Sequence, residues 1–170
     1  MNGDDELRYL RHGPQSGEKA PEIGTVRFIA ETRGDAGESL AKVKQIMIWW
    51  LLLPPAMQHD VETVRCELPQ WFASQFRRER SEEEKVSERN RWRKLSESER
   101  REDELSGAWL LSGWVYWMVP DNRTWWWWDA TVLSRHHCVI TAVVREWPFP
   151  WGSLRALCRA CGFNELKLEE

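Results

Sequence analysis

Four cysteines and two adjacent histidines could bind a metal ion or carry redox chemistry. Cys158 and Cys161 have the C-x2-C spacing, and His136 and Cys138 precede them in the chain. Structural zinc takes four nitrogen or sulfur ligands in a tetrahedron. The C-x2-C pair, however, continues the apolar stripe of a predicted helix, and free cysteine is among the most buried residue types. We therefore expect reduced core thiols and no cofactor, with a zinc site or a redox pair as the alternatives.

A carboxylate beside aromatic residues is the second candidate for chemistry. Asp129 directly follows a run of four tryptophans. Desolvation beside indole rings suits a carboxylate to proton transfer, so Asp129 with His136 or His137 could serve a small enzyme. The more common arrangement is an ion pair with an arginine, for which Arg135 and Arg145 are the candidates.

The tryptophan run is also a candidate binding surface. The chain has 13 tryptophans, and Trp125, Trp126, Trp127 and Trp128 are consecutive. In a strand these rings alternate between two faces, so one pair packs under helices. The other pair is either covered by the helical middle of the chain or exposed. An exposed pair would form a platform that stacks on a sugar, a base or a protein partner.

A block of charge occupies the middle of the chain, over Arg77–Glu104. Twenty of its 28 residues are ionisable, ten of each sign. Ser81 and Glu84 have the spacing of a helix-capping box. Such a polar helix cannot be core, and weak ion pairs between neighbouring turns can hold it in solvent. The functional interpretation is an arm that contacts a partner through Trp92, with Arg89 and Arg93 beside it.

Apolar spacing predicts the elements that hold these residues. Alternation over Thr25–Glu31 predicts a strand, and residues three and four apart from Glu38 onward predict a helix that Pro54 ends. Asp60 and Pro69 are each placed to begin a short helix.

The end of the chain predicts a hairpin followed by a helix. Strands over Thr124–Leu133 and Cys138–Trp147 are joined by a four-residue loop, and a helix over Trp151–Cys161 ends before Gly162. The apolar segment 106–118 fits either a helix or a further strand. This order predicts an α+β fold in which a small antiparallel sheet (the N-terminal strand plus the C-terminal hairpin) is packed by several helices.

The distribution of glycine, proline and charge predicts the domain organisation. Residues 1–24 carry glycine, proline and charge without a period, which predicts a flexible N-terminal arm. Residues 25–170 are predicted to form a single α+β domain with a highly charged helical insertion at about 77–104.

Composition limits the function. The net charge of -3 makes nucleic-acid binding unfavourable, and the apolar run Ile46–Pro55 is too short to span a bilayer. The acidic N-terminus does not resemble a secretory signal, so we expect a cytoplasmic protein without membrane contact. The sequence contains no complete catalytic motif. We therefore favour a module that docks to another protein, such as a bacterial immunity protein, antitoxin or accessory subunit. A ligand-binding protein with a tryptophan platform and a small enzyme are the alternatives.

Overall fold

The computed structural model describes residues 3–20, 24–100 and 109–169. The strands are β1 (Thr25–Glu31), β2 (Trp125–Ser134), β3 (His137–Val144) and β4 (Glu165–Leu168). The helices are α1 (Gly3–His12), α2 (Ala36–Leu52), α3 (Pro55–Gln58), α4 (Val61–Glu67), α5 (Gln70–Ala73), α6 (Glu82–Lys94), α7 (Leu111–Met118) and α8 (Gly152–Ala160). The predicted α+β class is confirmed.

The four strands form one antiparallel sheet in the order β2-β3-β1-β4. β2 and β3 are the predicted hairpin, and β1 lies beside β3. The connecting loop is shorter than predicted because Ser134 and His137 pair across the hairpin. Register shifts place one extra residue of β2, Trp128 and then Leu133, in each of two bulges. In the strand order, β2 and β4 are the outer strands, so they form the two edges of the sheet.

The helices and the sheet share an aromatic core. Trp114 of α7 is fully buried, and its ring centroid lies 5.3 Å from that of Trp50 and 5.2 Å from that of Phe72. The Trp50 indole donates a hydrogen bond to the carbonyl oxygen of Met118 over 3.1 Å. These contacts join α2, α5 and α7, and they settle the apolar segment as a helix over Leu111–Met118. Residues 101–108, where that segment and the charge block were expected to meet, lie outside the described residues.

Capping residues mark the helix boundaries, at Asp60 and Gly162 as predicted and at Asp35, which the sequence pattern had not singled out. The side chain of Asp35 accepts from the backbone N–H of Glu38 at the start of α2, and Asp60 caps α4 in the same way. Gly162 follows α8 with a φ of 108°, a left-handed conformation in which glycine carries no side-chain penalty. The sequence analysis did not predict β4, which begins three residues later.

The N-terminus differs from the expected flexible arm. Residues 3–12 form α1, whose Glu6, Tyr9 and Leu10 are buried. The segment escaped prediction because it has few apolar residues and buries a carboxylate, which is normally a surface group. The expectation of an unstructured arm is wrong for these ten residues. The domain boundary at residue 25 stays a prediction.

The buried carboxylate of Glu6 joins α1 to the start of β2. One oxygen accepts from the guanidinium of Arg123, which is itself buried, and the other accepts from the backbone N–H of Trp127 over 2.7 Å. Burial raises the pKa of Glu6, while Arg123 and the Trp127 N–H act in the opposite direction. The three groups hold α1 against β2.

Removing the Glu6 carboxylate should destabilise the whole domain. In Glu6→Ala, Arg123 remains buried without its counterion, so the free energy of unfolding should fall by about 3–5 kcal/mol. Asp4→Ala, on the exposed side of the same helix, is the matched control and should cost less than about 1 kcal/mol. Urea denaturation followed by tryptophan fluorescence measures both. Equal stability of Glu6→Ala and Asp4→Ala would show that α1 is not part of the cooperative fold.

Candidate functional site: a charged helical arm

The four consecutive tryptophans lie inside the protein. All are at most 9% exposed, so of the two arrangements that the sequence left open, covered and exposed, the covered one is present. Trp125 donates to the Ser153 hydroxyl over 3.0 Å, and Arg145 lies 5.1 Å above the ring of Trp126. Tyr9 of α1 packs 4.3 Å from Trp128 between ring centroids. The second face is covered because α1, which the sequence analysis missed, packs on this strand. The four rings therefore offer no accessible surface on which a sugar or base could stack.

Asp129 and the two histidines do not converge. Asp129 lies opposite Thr141 of β3, and His137 comes four residues before Thr141 in that strand, a distance on the order of 13 Å. The ring of His136 donates to the carbonyl oxygen of Gly34 over 2.9 Å, at the hairpin turn. No ion pair of Asp129 with an arginine occurs among the described residues. Asp129 therefore forms no acid–base pair with His136 or His137. The ion pair expected with Arg135 or Arg145 is also not formed among the described residues.

The cysteines behave as core residues. Cys138, Cys158 and Cys161 are buried, and Cys66 alone is exposed among the four. Burial raises the pKa of the Cys138 thiol to about 11 and raises the pKa values of Cys158 and Cys161 further. Within residues 3–20, 24–100 and 109–169, no group of three or more histidine, cysteine or acidic side chains could hold a metal ion. His136 is at the hairpin turn, so it does not complete a site with the cysteines.

Residues on either side of the charge block contact each other where they join the folded body, and we call this junction the neck. The backbone N–H of Arg77 donates to the carbonyl oxygen of Trp109 over 3.0 Å, and Arg77 forms a bridge with Leu110. The carboxylate of Glu79 accepts from the backbone N–H and the hydroxyl of Ser112, over 2.9 and 2.8 Å, at the start of α7. The chain therefore leaves and re-enters the body at one point. We refer to residues 78–108 as the charged arm, described here up to residue 100.

Charge, rather than burial, stabilises the helix of the arm. α6 buries none of its residues, and the predicted capping box between Ser81 and Glu84 is present. Its first turn is acidic and its last turn is basic, as the helix dipole favours. Ion pairs join Arg78 to Glu84 and Arg80 to Glu88. Since exposed ion pairs contribute little each, the arm is stabilised locally and adds little to the fold.

The arm presents two features that can bind a partner. The first is an open groove of about 540 Å³, lined by four arginines, two glutamates and a serine: Arg77, Arg78, Arg80, Arg91, Glu84, Glu88 and Ser87. The second is Trp92, half-buried, with the Arg100 guanidinium 5.9 Å from its ring centroid. Arg89 and Arg93 are exposed on either side of Trp92 in sequence.

Large apolar side chains are exposed at several places that the sequence analysis did not single out. They are Leu52, Val86, Tyr116, Trp117, Val132, Leu133 and Trp147. Two of them, Val132 and Leu133, are adjacent on the β2 edge. The alternating pattern predicted the strand that carries them. It did not show that β2 lies at the edge of the sheet, so their exposure could not be predicted.

Comparisons of the chain with protein-family models, curated proteins and solved structures find no match. No described helix has the length and apolar character needed to cross a membrane.

Thiol reactivity should separate Cys66 from the other cysteines. Because burial raises the pKa values of Cys138, Cys158 and Cys161, only one thiol should react with iodoacetamide at pH 8 in the native protein. All four should react after denaturation. Mass spectrometry of the labelled protein counts them, and rapid native labelling of Cys158 or Cys161 would contradict the assignment as core.

Replacing the arm should leave the body folded. A variant in which a linker of about six glycine and serine residues replaces residues 80–108 keeps Arg77, Glu79 and Trp109, which form the neck. Since α6 buries nothing, the free energy of unfolding should change by less than about 1 kcal/mol. Urea denaturation measures it, and loss of cooperative unfolding would show that the arm belongs to the core.

Proposed function

We propose that this protein is a docking module that binds another protein through the charged arm. The observation that carries the proposal is an ordered helix that buries none of its residues and projects from a closed neck. A solvated helix of this kind adds little stability to the body. Its tryptophan and arginines are residue types that protein interfaces favour.

Trp92 is the centre of the proposed contact. Tryptophan and arginine are the residues most often found at the energetic centre of a protein interface. Trp92 is partly covered by the side chain of Arg100 in the free protein, and the Nε of Arg100 donates to the carbonyl oxygen of Trp92 over 3.2 Å. A partner that displaces or extends this contact would bury the indole ring.

The charge of the arm defines the chemistry of the partner. The last turns of α6 carry Arg89, Arg91, Arg93 and Lys94, whereas its first turn carries three glutamates. A partner with an acidic patch near the tryptophan matches the basic end of the helix. Because these groups are exposed, salt should screen the attraction and weaken binding.

The proposal also names a class of protein. A small cytoplasmic protein of bacterial type that acts by docking, as immunity proteins, antitoxins and accessory subunits do, fits this arrangement. The stacking and enzyme alternatives have less support, because the platform rings are buried and Asp129 lies away from both histidines.

The test is partner capture with matched arm variants. Tagged wild-type protein is recovered from host extract, and the protein that accompanies it in stoichiometric amount is quantified by mass spectrometry. Trp92→Ala should weaken its affinity at least about tenfold, which corresponds to about 1.4 kcal/mol. Trp147→Ala, at a tryptophan that is 61% exposed outside the arm, is the control and should bind as wild type does.

The charge reversal Arg89→Glu with Arg93→Glu should also weaken capture, and should remove most of its salt dependence. Unchanged capture by the tryptophan and charge variants would place the contact outside the arm. A wild-type protein that recovers no partner at low salt would contradict the docking function itself.

A further inference from the structure

A cavity lies between helix α8 and the edge strand β4. Its volume is about 320 Å³, at the lower end of the range of small-molecule sites. Its lining comes from α8, from the turn that follows it and from β4: Arg155, Cys158, Arg159, Phe163, Asn164, Glu165 and Leu166. The cavity belongs to the body of the protein, and no described residue of the charged arm lines it.

The most deeply buried residues of the lining are apolar. Cys158, Phe163 and Leu166 are 1%, 2% and 6% exposed, and all three belong to the hydrophobic core. Burial raises the pKa of the Cys158 thiol, so this group is neutral and does not repel an anion. This part of the cavity therefore suits an apolar group of a ligand.

Two arginines supply positive charge on the α8 side of the cavity. Arg155 and Arg159 are four residues apart, so they lie on the same face of the helix on successive turns. The half-buried Arg155 packs over the ring of Trp151, 5.4 Å from its centroid. Arg159 is exposed, and its guanidinium forms no ion pair or hydrogen bond with another described residue. Neighbouring guanidinium groups of this kind can bind one carboxylate through charge-assisted hydrogen bonds.

The remaining polar groups of the lining also favour an anion. Side chains alternate between the faces of a strand, and Leu166 points into the core, so Glu165 and Lys167 point to the opposite face of the sheet. These two side chains form an ion pair of 2.7 Å, so the Glu165 carboxylate does not cancel the arginine charge. The Asn164 Oδ1 accepts from the backbone N–H of Arg33 over 2.8 Å, which leaves its amide nitrogen as a further donor.

We propose that this cavity binds a small organic carboxylate that has an apolar body. Arg155 and Arg159 bind the carboxylate. The apolar body packs on Cys158, Phe163 and Leu166. The site lies outside the charged arm, so this binding is independent of the docking function.

Three small probes test the two halves of the site. Benzoate has an aromatic ring and a carboxylate, benzamide has nearly the same shape without the charge, and acetate has the charge without the ring. Titration of the ¹⁵N-labelled protein at low ionic strength, followed by NMR, measures each affinity. Benzoate should cause saturable shifts of amides in residues 155–166, with a dissociation constant on the order of 1 mM for a ligand of this size. Benzamide and acetate should each bind at least about tenfold more weakly.

Substitution of the arginines provides the matched test. Arg159→Gln removes the charge of an exposed side chain and should weaken benzoate binding at least about fivefold. The double variant Arg155→Gln with Arg159→Gln should abolish it. Arg135→Gln, at an exposed arginine in the hairpin turn, is the control and should bind as wild type does. The spectrum of each variant also shows whether it is folded.

The absence of saturable benzoate shifts in residues 155–166 overturns the proposal, as does unchanged binding by the folded double variant. Equal affinity for benzoate and benzamide overturns the role of the arginines, and equal affinity for benzoate and acetate overturns the role of the apolar lining. Variants of the arm should bind benzoate as wild type does, and the arginine variants of α8 should capture the partner normally. The failure of one proposal is therefore distinguishable from the failure of the other.

Discussion

The buried carboxylate of Glu6 is the constraint on which the arrangement of this protein depends. A buried carboxylate is unfavourable unless it is paired, and here Arg123 and the backbone N–H of Trp127 supply its partners. The pairing fixes α1 against β2, covers the tryptophan run and occupies half of a sheet edge. Where α1 ends decides which part of that edge remains exposed.

A second constraint divides the chain into a body and an arm. The neck, formed by Arg77 with Trp109 and by Glu79 with Ser112, brings the two ends of the arm together. The hydrophobic core is then formed within the body. The helix α6 carries charged side chains and has no buried face. Evolution can vary such an arm without disturbing the core, which suits a surface that must match a partner. The proposed docking surface is thus separated physically from the core of the fold.

The parts of the fold that depend on local pattern were predictable from the sequence. Alternation predicted β1 and the hairpin, and capping residues such as Asp60 and Ser81 predicted where helices begin. Features that depend on distant contacts were not: α1 is stabilised by a residue 117 positions away, and β4 by pairing with β1. For the same reason the burial of the tryptophans could not be decided, since their cover comes from α1. At the candidate site, sequence predicted the polar arm and Trp92, but not the neck or the groove.

Hydrogen–deuterium exchange of the protein with and without its purified partner is the most direct test of the central claim that the arm is the docking surface. In the free protein, amides of α6 should exchange much faster than those of β1 and β3, because α6 has no buried face. The account predicts that the partner slows exchange mainly in residues 82–94. Protection confined to the body, with the arm still exchanging rapidly in the complex, would contradict it.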